Sequence, residues 1–572
     1  MRHLPSLIAA IALATLSSAS FAAPPFDGYE IWASDQSNSA PGVAAPGVAG
    51  GYVWIWDSAD LERQLAGGPD AQPLGCAPGK APGNVGPCNV LDLFPPDLEE
   101  ISADGQPTGL QRGDLAGFGR LHGMLPDPQN RYMNVNLFAP NGGYVGIIDT
   151  RSKSAVALFR VTGSSAGRSV HMSYWTDDGS ALLIANLNGK LLERIDVERN
   201  PSGKIMGATF NRSATLSVGK GLAVTSGATA FRGLNARGQA LIGTVSGSYD
   251  DADLGDLTPN GMCKENGCTA GFDGAAGGRP NNLIICPLST ANDHVYVTLA
   301  AGGLLVADAR ATPMAIVGEY GNEVINGAGC GGALVDDEIW INAGVSASPA
   351  GATQSTYTLY AIDDSAVNYG AAENSPAPTV VYKDAGNTST NGNVGGLAPN
   401  ETGQLPGVST RRDAHGLAAT LDEAYVHSAD RIQNMMDVFD TATLAFTTFD
   451  LTSADGQGNG PGACGLRSVA DDNDLPTNDP AGDLMYPTPD GKYLMIALRG
   501  PVPVSVDHSS QGSCPGVGVI ALTDGGASGY LVDVLRATNT TDTSSGGAPG
   551  GHAYQGAERS DVHGVSVVRK QR

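Results

Sequence analysis

The chain is poor in aromatics (6%) and carries only nine histidines in 572 residues. Basic charge is scarce too: 33 Lys and Arg face 58 Asp and Glu, a formal net charge of −25. Such a surface repels nucleic acid and anionic membrane, so neither is expected as a partner. Beyond the first residues no stretch is long and apolar enough for a transmembrane helix, and no membrane span is expected. Apolar residues at 3.6 spacing are rare, and Gly and Pro interrupt most windows, which argues against a helical fold. Cys-x-x-Cys-His is missing, which excludes covalent c-type haem. So are a phosphate loop and a His-Glu-x-x-His helix.

Residues 1–22 read as a secretory signal peptide. Arg2 and His3 give a short polar start, Leu7 to Leu16 an apolar run, and Ser20-Phe21-Ala22 a small-x-small cleavage site. Losing Arg2 leaves 32 basic and 58 acidic residues, so the mature chain is near −26. A periplasmic or secreted location follows. All eight cysteines lie beyond the leader, and an even count in an oxidising compartment suggests disulfides. Cys76/Cys88 and Cys263/Cys268 are close in sequence, Cys464/Cys514 flank one repeat, and Cys286/Cys330 remain.

What the chain does have is a repeat. A polar turn leads into a short apolar strand at Asp178-Gly179, Asp293-His294, Asp337-Glu338, Asp422-Glu423 and Asp490-Gly491. A second apolar strand ends in Asp at Asp57, Asp149, Asp196, Asp308, Asp363 and Asp440. Strand, turn, strand, turn, strand-Asp, turn, strand is the frame of a four-stranded propeller blade. The expected fold is therefore all-β: residues 23–572 form one β-propeller closed by strands from both termini. First strands number seven, or eight if the segment from Ala230 forms a blade. Long loop insertions are expected at about 66–117, 246–280, 384–409 and 453–480, on one face and over the site.

The repeat fixes a register. Ten residues before the aligned strand residue (Tyr132, Ala181, Tyr296, Trp340, Tyr425, Tyr493) stand His122, His171, Cys286, Cys330, His415 and Asp483. His563 joins them because Arg559 to Gly564 repeats the Arg-x-Asp-x-His-Gly of Arg411 to Gly416. First strands line a propeller's channel, where core packing would not choose a polar residue in every blade. His122, His171, His415 and His563 are therefore candidate metal ligands. Asp413 and Asp561, two residues before their histidines, are candidate partners that orient the imidazoles. Asp483 is a candidate fifth ligand or proton acceptor. Arg412 and Arg559 are candidates for positioning an anionic small-molecule substrate. A His-rich set suits copper first, then iron or zinc. Disulfide is favoured over thiolate ligation for Cys286 and Cys330. The acidic runs at Asp250–Asp256 and Asp471–Asp479 offer calcium ligands in loops, though neither has the spacing of an EF-hand.

On the blade frame and these four histidines, the chain resembles exported β-propeller proteins with an axial histidine cluster. The cluster is similar to that of the propeller copper enzymes, such as nitrous oxide reductase and thiocyanate dehydrogenase, and of the carotenoid-cleaving iron oxygenases. No copper-A type Cys–His motif accompanies it. The resemblance implies an exported metal-dependent oxidoreductase with a periplasmic electron-transfer partner. The alternatives are a non-catalytic binding or scaffold propeller and a calcium-dependent lactonase-like hydrolase.

Overall fold

The computed structural model describes residues 27–37, 51–75, 86–95, 97–102, 106–111, 120–138, 143–164, 167–218, 224–226, 229–232, 243–246, 284–300, 302–321, 324–325, 327, 329–343, 357–367, 376–383, 414–431, 433–466, 478–502, 512–540 and 557–570. These form seven β-sheet blades. Their inner strands, in order, are Arg120–Gly123, Val170–Trp175, Ile284–Ser289, Gly332–Val335, Ala414–Ala419, Gly482–Pro487 and Val562–Arg569. Each pairs antiparallel with the next strand of its own blade.

Hydrogen bonds account for both halves of the repeat signal. In the polar turn, the hydroxyls of Thr176, Thr420 and Thr488 donate to the carboxylates of Asp178, Asp422 and Asp490 at 2.6–2.8 Å. The same hydroxyls accept the first amide of the following strand, from Ala181, Tyr425 and Tyr493. The turn needs a left-handed residue, filled by Gly179 (φ 67°) and Gly491 (φ 69°). The Asp that ends the third strand caps the next turn. Asp149, Asp308, Asp363 and Asp440 each accept a backbone amide two residues on, at 2.8–3.0 Å.

Blades bury their faces against one another. Leu183, Ala185 and Leu192 of the second blade pack with Val295, Val297 and Leu305 of the third. Met495, Ala497, Val517 and Val519 of the sixth pack with Ile31, Ala33, Trp54 and Trp56 of the seventh. Burial on both faces is why these strands read as apolar runs rather than strict alternations.

The termini close the ring, but through a strand the repeat did not reveal. Val562–Arg569 pairs with Tyr29–Asp35, and only then comes Tyr52–Asp57, followed by Cys88–Asn89. The expected insertion from 66 thus supplies a blade's outer strand. Its Glu99–Ile101 and Pro107–Gln111 extend the first blade. The eighth-blade candidate is not a blade. Thr229–Arg232 pairs with the outer strand of the first blade, and Gly243–Ser246 runs parallel to that of the second. Residues 1–22, expected to be a signal peptide, 384–409, and all of 246–280 but Ser246 lie outside the described residues. No helix among the described residues is long and apolar enough to cross a membrane.

Two disulfides are described, Cys286–Cys330 and Cys464–Cys514. Cys88 is also disulfide-bonded. Cys76, Cys263 and Cys268 lie outside the described residues.

Glu193, wholly buried in the second blade, gives the fold a pH signature. Burial pushes its carboxyl up to about 7, against hydrogen bonds from Thr162 and Asn186. Between the free value of 4.5 and about 7 the folded chain holds a proton that the unfolded chain has released. Stability therefore falls as pH rises through that window, by about 3 kcal/mol in all. Glu193→Gln should flatten this part of the Tm–pH curve and melt above the parent at pH 8.

Candidate metal centre

Four imidazoles follow one another along the axis, each beside the next. The His122 ring lies 4.0 Å from that of His171 and 4.3 Å from that of His563, centroid to centroid. His415 lies 5.4 Å from His563. His122, His415 and His563 are at most 3% exposed, and His171 is half-buried. Each stands on its own blade's inner strand, so the rings are set by four rigid elements rather than by one loop.

Hydrogen bonds fix which nitrogen carries the lone pair. The Nδ1 of His563 is 2.8 Å from the His122 carbonyl oxygen, which can only accept. Nδ1 therefore bears the proton, and Nε2 is the donor atom for a metal. Burial, aided by Arg499 and opposed by Asp483, holds His563 well below the ordinary histidine range, so the ring is neutral at pH 7. The Nδ1 of His415 contacts the Asp483 carboxylate, which again leaves Nε2.

Asp483 is wholly buried. Burial opposes its charge, but His415 and Arg431 hold the carboxyl well below the usual carboxylate range. It accepts from Arg431 Nη1 at 2.9 Å and Arg499 Nη1 at 2.8 Å. Arg499 also grips both oxygens of Asp561 at 2.7 Å. Two carboxylates and two guanidiniums, all at 0% exposure, cancel in charge. A carboxylate held this firmly is a weak proton acceptor. It orients His415 and also stands with His415 and His563 in a group whose ligand atoms all lie within 4.8 Å of one another.

Asp561 therefore bears on the imidazoles through Arg499 and Asp483, while the His122 carbonyl orients His563. Arg559 donates to the backbone carbonyl of Glu558 at 2.9 Å. Arg412 and Asp413 lie outside the described residues. Of the acidic runs, Asp479 accepts from Asn434 Nδ2 at 2.7 Å within a buried loop. Asp250–Asp256, Asp471, Asp472 and Asp474 lie outside the described residues.

The register analysis missed Arg431 and Arg499. Both stand six residues beyond the aligned Tyr425 and Tyr493, just past the second strand of their blades. The equivalent residue after Tyr132 is Phe138, whose ring lies 6.0 and 6.1 Å from those of His122 and His171. Following the register past the second strand would have found all three. No hydrolase nucleophile elbow is expected from the sequence; the Gly-x-Ser-x-Gly it holds at 163–167, whose Ser165 lies outside the described residues, is followed by the strand Val170–Trp175 and not by the helix such an elbow requires.

Beyond the imidazoles the channel opens into a cavity of about 500 Å³. Its lining includes Gly123, Met172, Gly331, Leu484 and Gly564, each one residue past a ring position. Tyr174 and Tyr486 add aromatic surface.

No family model and no curated protein matches the chain. Solved propellers share its fold. The β-propeller domain of Cps50 (Swd1) from Myceliophteria thermophila aligns at 12% identity and TM-score 0.33, over 66% of this chain and 93% of its own. The periplasmic gluconolactonase PpgL of Pseudomonas aeruginosa aligns at 11% and 0.31, over 72% and 92%. Hydrazine synthase of Kuenenia stuttgartiensis aligns at 11% and 0.34, over 70% and 76%. At these values the similarity concerns architecture and carries no functional argument.

The buried ion-pair network should be brittle. Arg499→Met strips Asp561 of its bidentate partner and should cost about 3–5 kcal/mol in urea unfolding. Arg499→Met/Asp561→Asn should recover part of that loss, because the stranded charge is gone.

Proposed function

We propose that the chain is an exported metal-dependent oxidoreductase that holds copper among His122, His171, His415 and His563. The observation that supports this reading is the row of four neighbouring imidazoles from four inner strands, in which His415 and His563 stand with Asp483 in a group close enough to share an ion and have Nδ1 engaged so that Nε2 is left for a metal. Uncharged nitrogen donors on rigid strands suit copper first, with iron and zinc next. Calcium suits the axis poorly. It needs carboxylate oxygens, and Asp483 and Asp561 are both taken by guanidiniums.

Copper in such a set supplies one-electron chemistry. The chain's own groups bind and orient. Asp483 and the His122 carbonyl fix the imidazole tautomers, and Arg431 and Arg499 keep Asp483 ionised. The carboxylates of that network are already balanced by its guanidiniums, so a cation held by the imidazoles brings charge that the network does not offset. An anionic small-molecule substrate would do so. Electrons from its oxidation would leave to a periplasmic electron-transfer partner. Disulfides and the leader-like residues 1–22 support export.

Elemental analysis of the purified mature chain should find bound transition metal, copper first, and chelation should lower the Tm. Asp483→Asn should weaken copper binding by about 10–100-fold, and His563→Ala by more. A metal-free chain whose Tm ignores added copper would overturn the reading and favour a non-catalytic binding propeller.

A further inference from the structure

The ring position carries a second donor set that the four-histidine reading does not use. Cys286 and Cys330 are buried and bonded to each other across the third and fourth blades. Their sulfurs lie 3.9 and 3.7 Å from the Nδ1 of His171. A tetrahedral ion with an imidazole nitrogen at about 2.1 Å and a thiolate at about 2.3 Å spaces those two atoms about 3.6 Å apart. Both N–S separations are already near that span. What the oxidised pair lacks is thiolate charge, since a disulfide sulfur is a poor ligand.

Hydrogen bonds hold the backbone of both cysteines alongside the S–S bond. The Cys286 amide donates to Thr298 Oγ1 at 3.1 Å, and Tyr174 Oη donates to the Cys330 carbonyl at 3.3 Å. Each cysteine also belongs to a different blade, with Cα atoms 5.4 Å apart. Breaking the bond leaves two thiols facing one imidazole. His171 is the most exposed of the seven ring residues, being half-buried where the other six are buried.

We propose that His171, Cys286 and Cys330 form a redox-gated site for a soft metal ion, closed as the disulfide and opened by a dithiol. The reductant's two S–H bonds become one S–S bond. Its two electrons break the Cys286–Cys330 bond, and its two protons give the two thiols. Metal binding then releases those protons to solvent. Zinc(II) and copper(I) are the class of ion that two thiolates and an imidazole favour. The site shares His171 with the four-histidine centre but does not rest on it.

Cadmium(II) is the probe, read by its thiolate-to-metal charge-transfer absorption. The full mature chain is reduced with dithiothreitol, freed of reductant without air, and titrated. The reduced chain should show the band and the oxidised chain should not. Cys286→Ser/Cys330→Ser should lose the share of the band that this pair contributes over other reduced cysteines. His171→Ala keeps both sulfurs and should weaken cadmium binding by about tenfold or more. His415→Ala should leave the band unchanged, so failure of the copper reading and failure of this one are read separately. Equal bands in the double variant and the parent would overturn the proposal. So would a Cys286–Cys330 bond that stays oxidised under dithiothreitol in a chain still folded by circular dichroism.

Discussion

The axis exists only because one antiparallel seam closes the ring. Val562–Arg569 must dock between the sixth blade and Tyr29–Asp35, and it carries His563 into place when it does. Asp35 locks the seam. Its buried carboxylate accepts from Ser560 Oγ, the Asp561 amide, the Ser37 amide and Trp54 Nε1 at 2.6–2.9 Å. Asp561, next in the chain, engages Arg499 of the sixth blade, and Arg499 engages Asp483. Closure, the buried ion pairs and the orientation of His415 thus form one continuous chain of hydrogen bonds. Loosening the seam would disturb the imidazoles before it disturbed the outer strands.

The blade frame was legible because its signals are local. A Thr–Asp turn and an Asp cap each need particular residues at short spacing, so Asp178, Asp422 and Asp490 announce themselves. The register that grouped His122, His171, Cys286, Cys330, His415, Asp483 and His563 follows from those turns. Tyr29–Asp35 escaped because its burial is tertiary: Ser34 and Asp35 look like surface residues and are wholly buried at the seam. The segment from Ala230 misled because edge strands that extend existing blades look like the start of a new one. Arg431 and Arg499 escaped because an arginine after a strand ordinarily faces water. Only the carboxylates brought from other strands make burial tolerable.

The ring has three chemical sectors. His122, His563 and His415 offer imidazole nitrogen. His171 with the sulfurs of Cys286 and Cys330 offers soft donors that change with oxidation state. Asp483 with Arg431 and Arg499 offers balanced charge that orients without adding to the net. A cavity of about 500 Å³ is lined by the residues that follow His122, His171, Cys330, Asp483 and His563. The proposed metal sites rest on this division.

Anomalous diffraction at the copper edge, from crystals of the copper-loaded chain, tests the central claim most directly. A peak is expected at the axis within about 2 Å of imidazole nitrogens from among His122, His171, His415 and His563. Full copper occupancy elsewhere, with those rings unliganded, would contradict it.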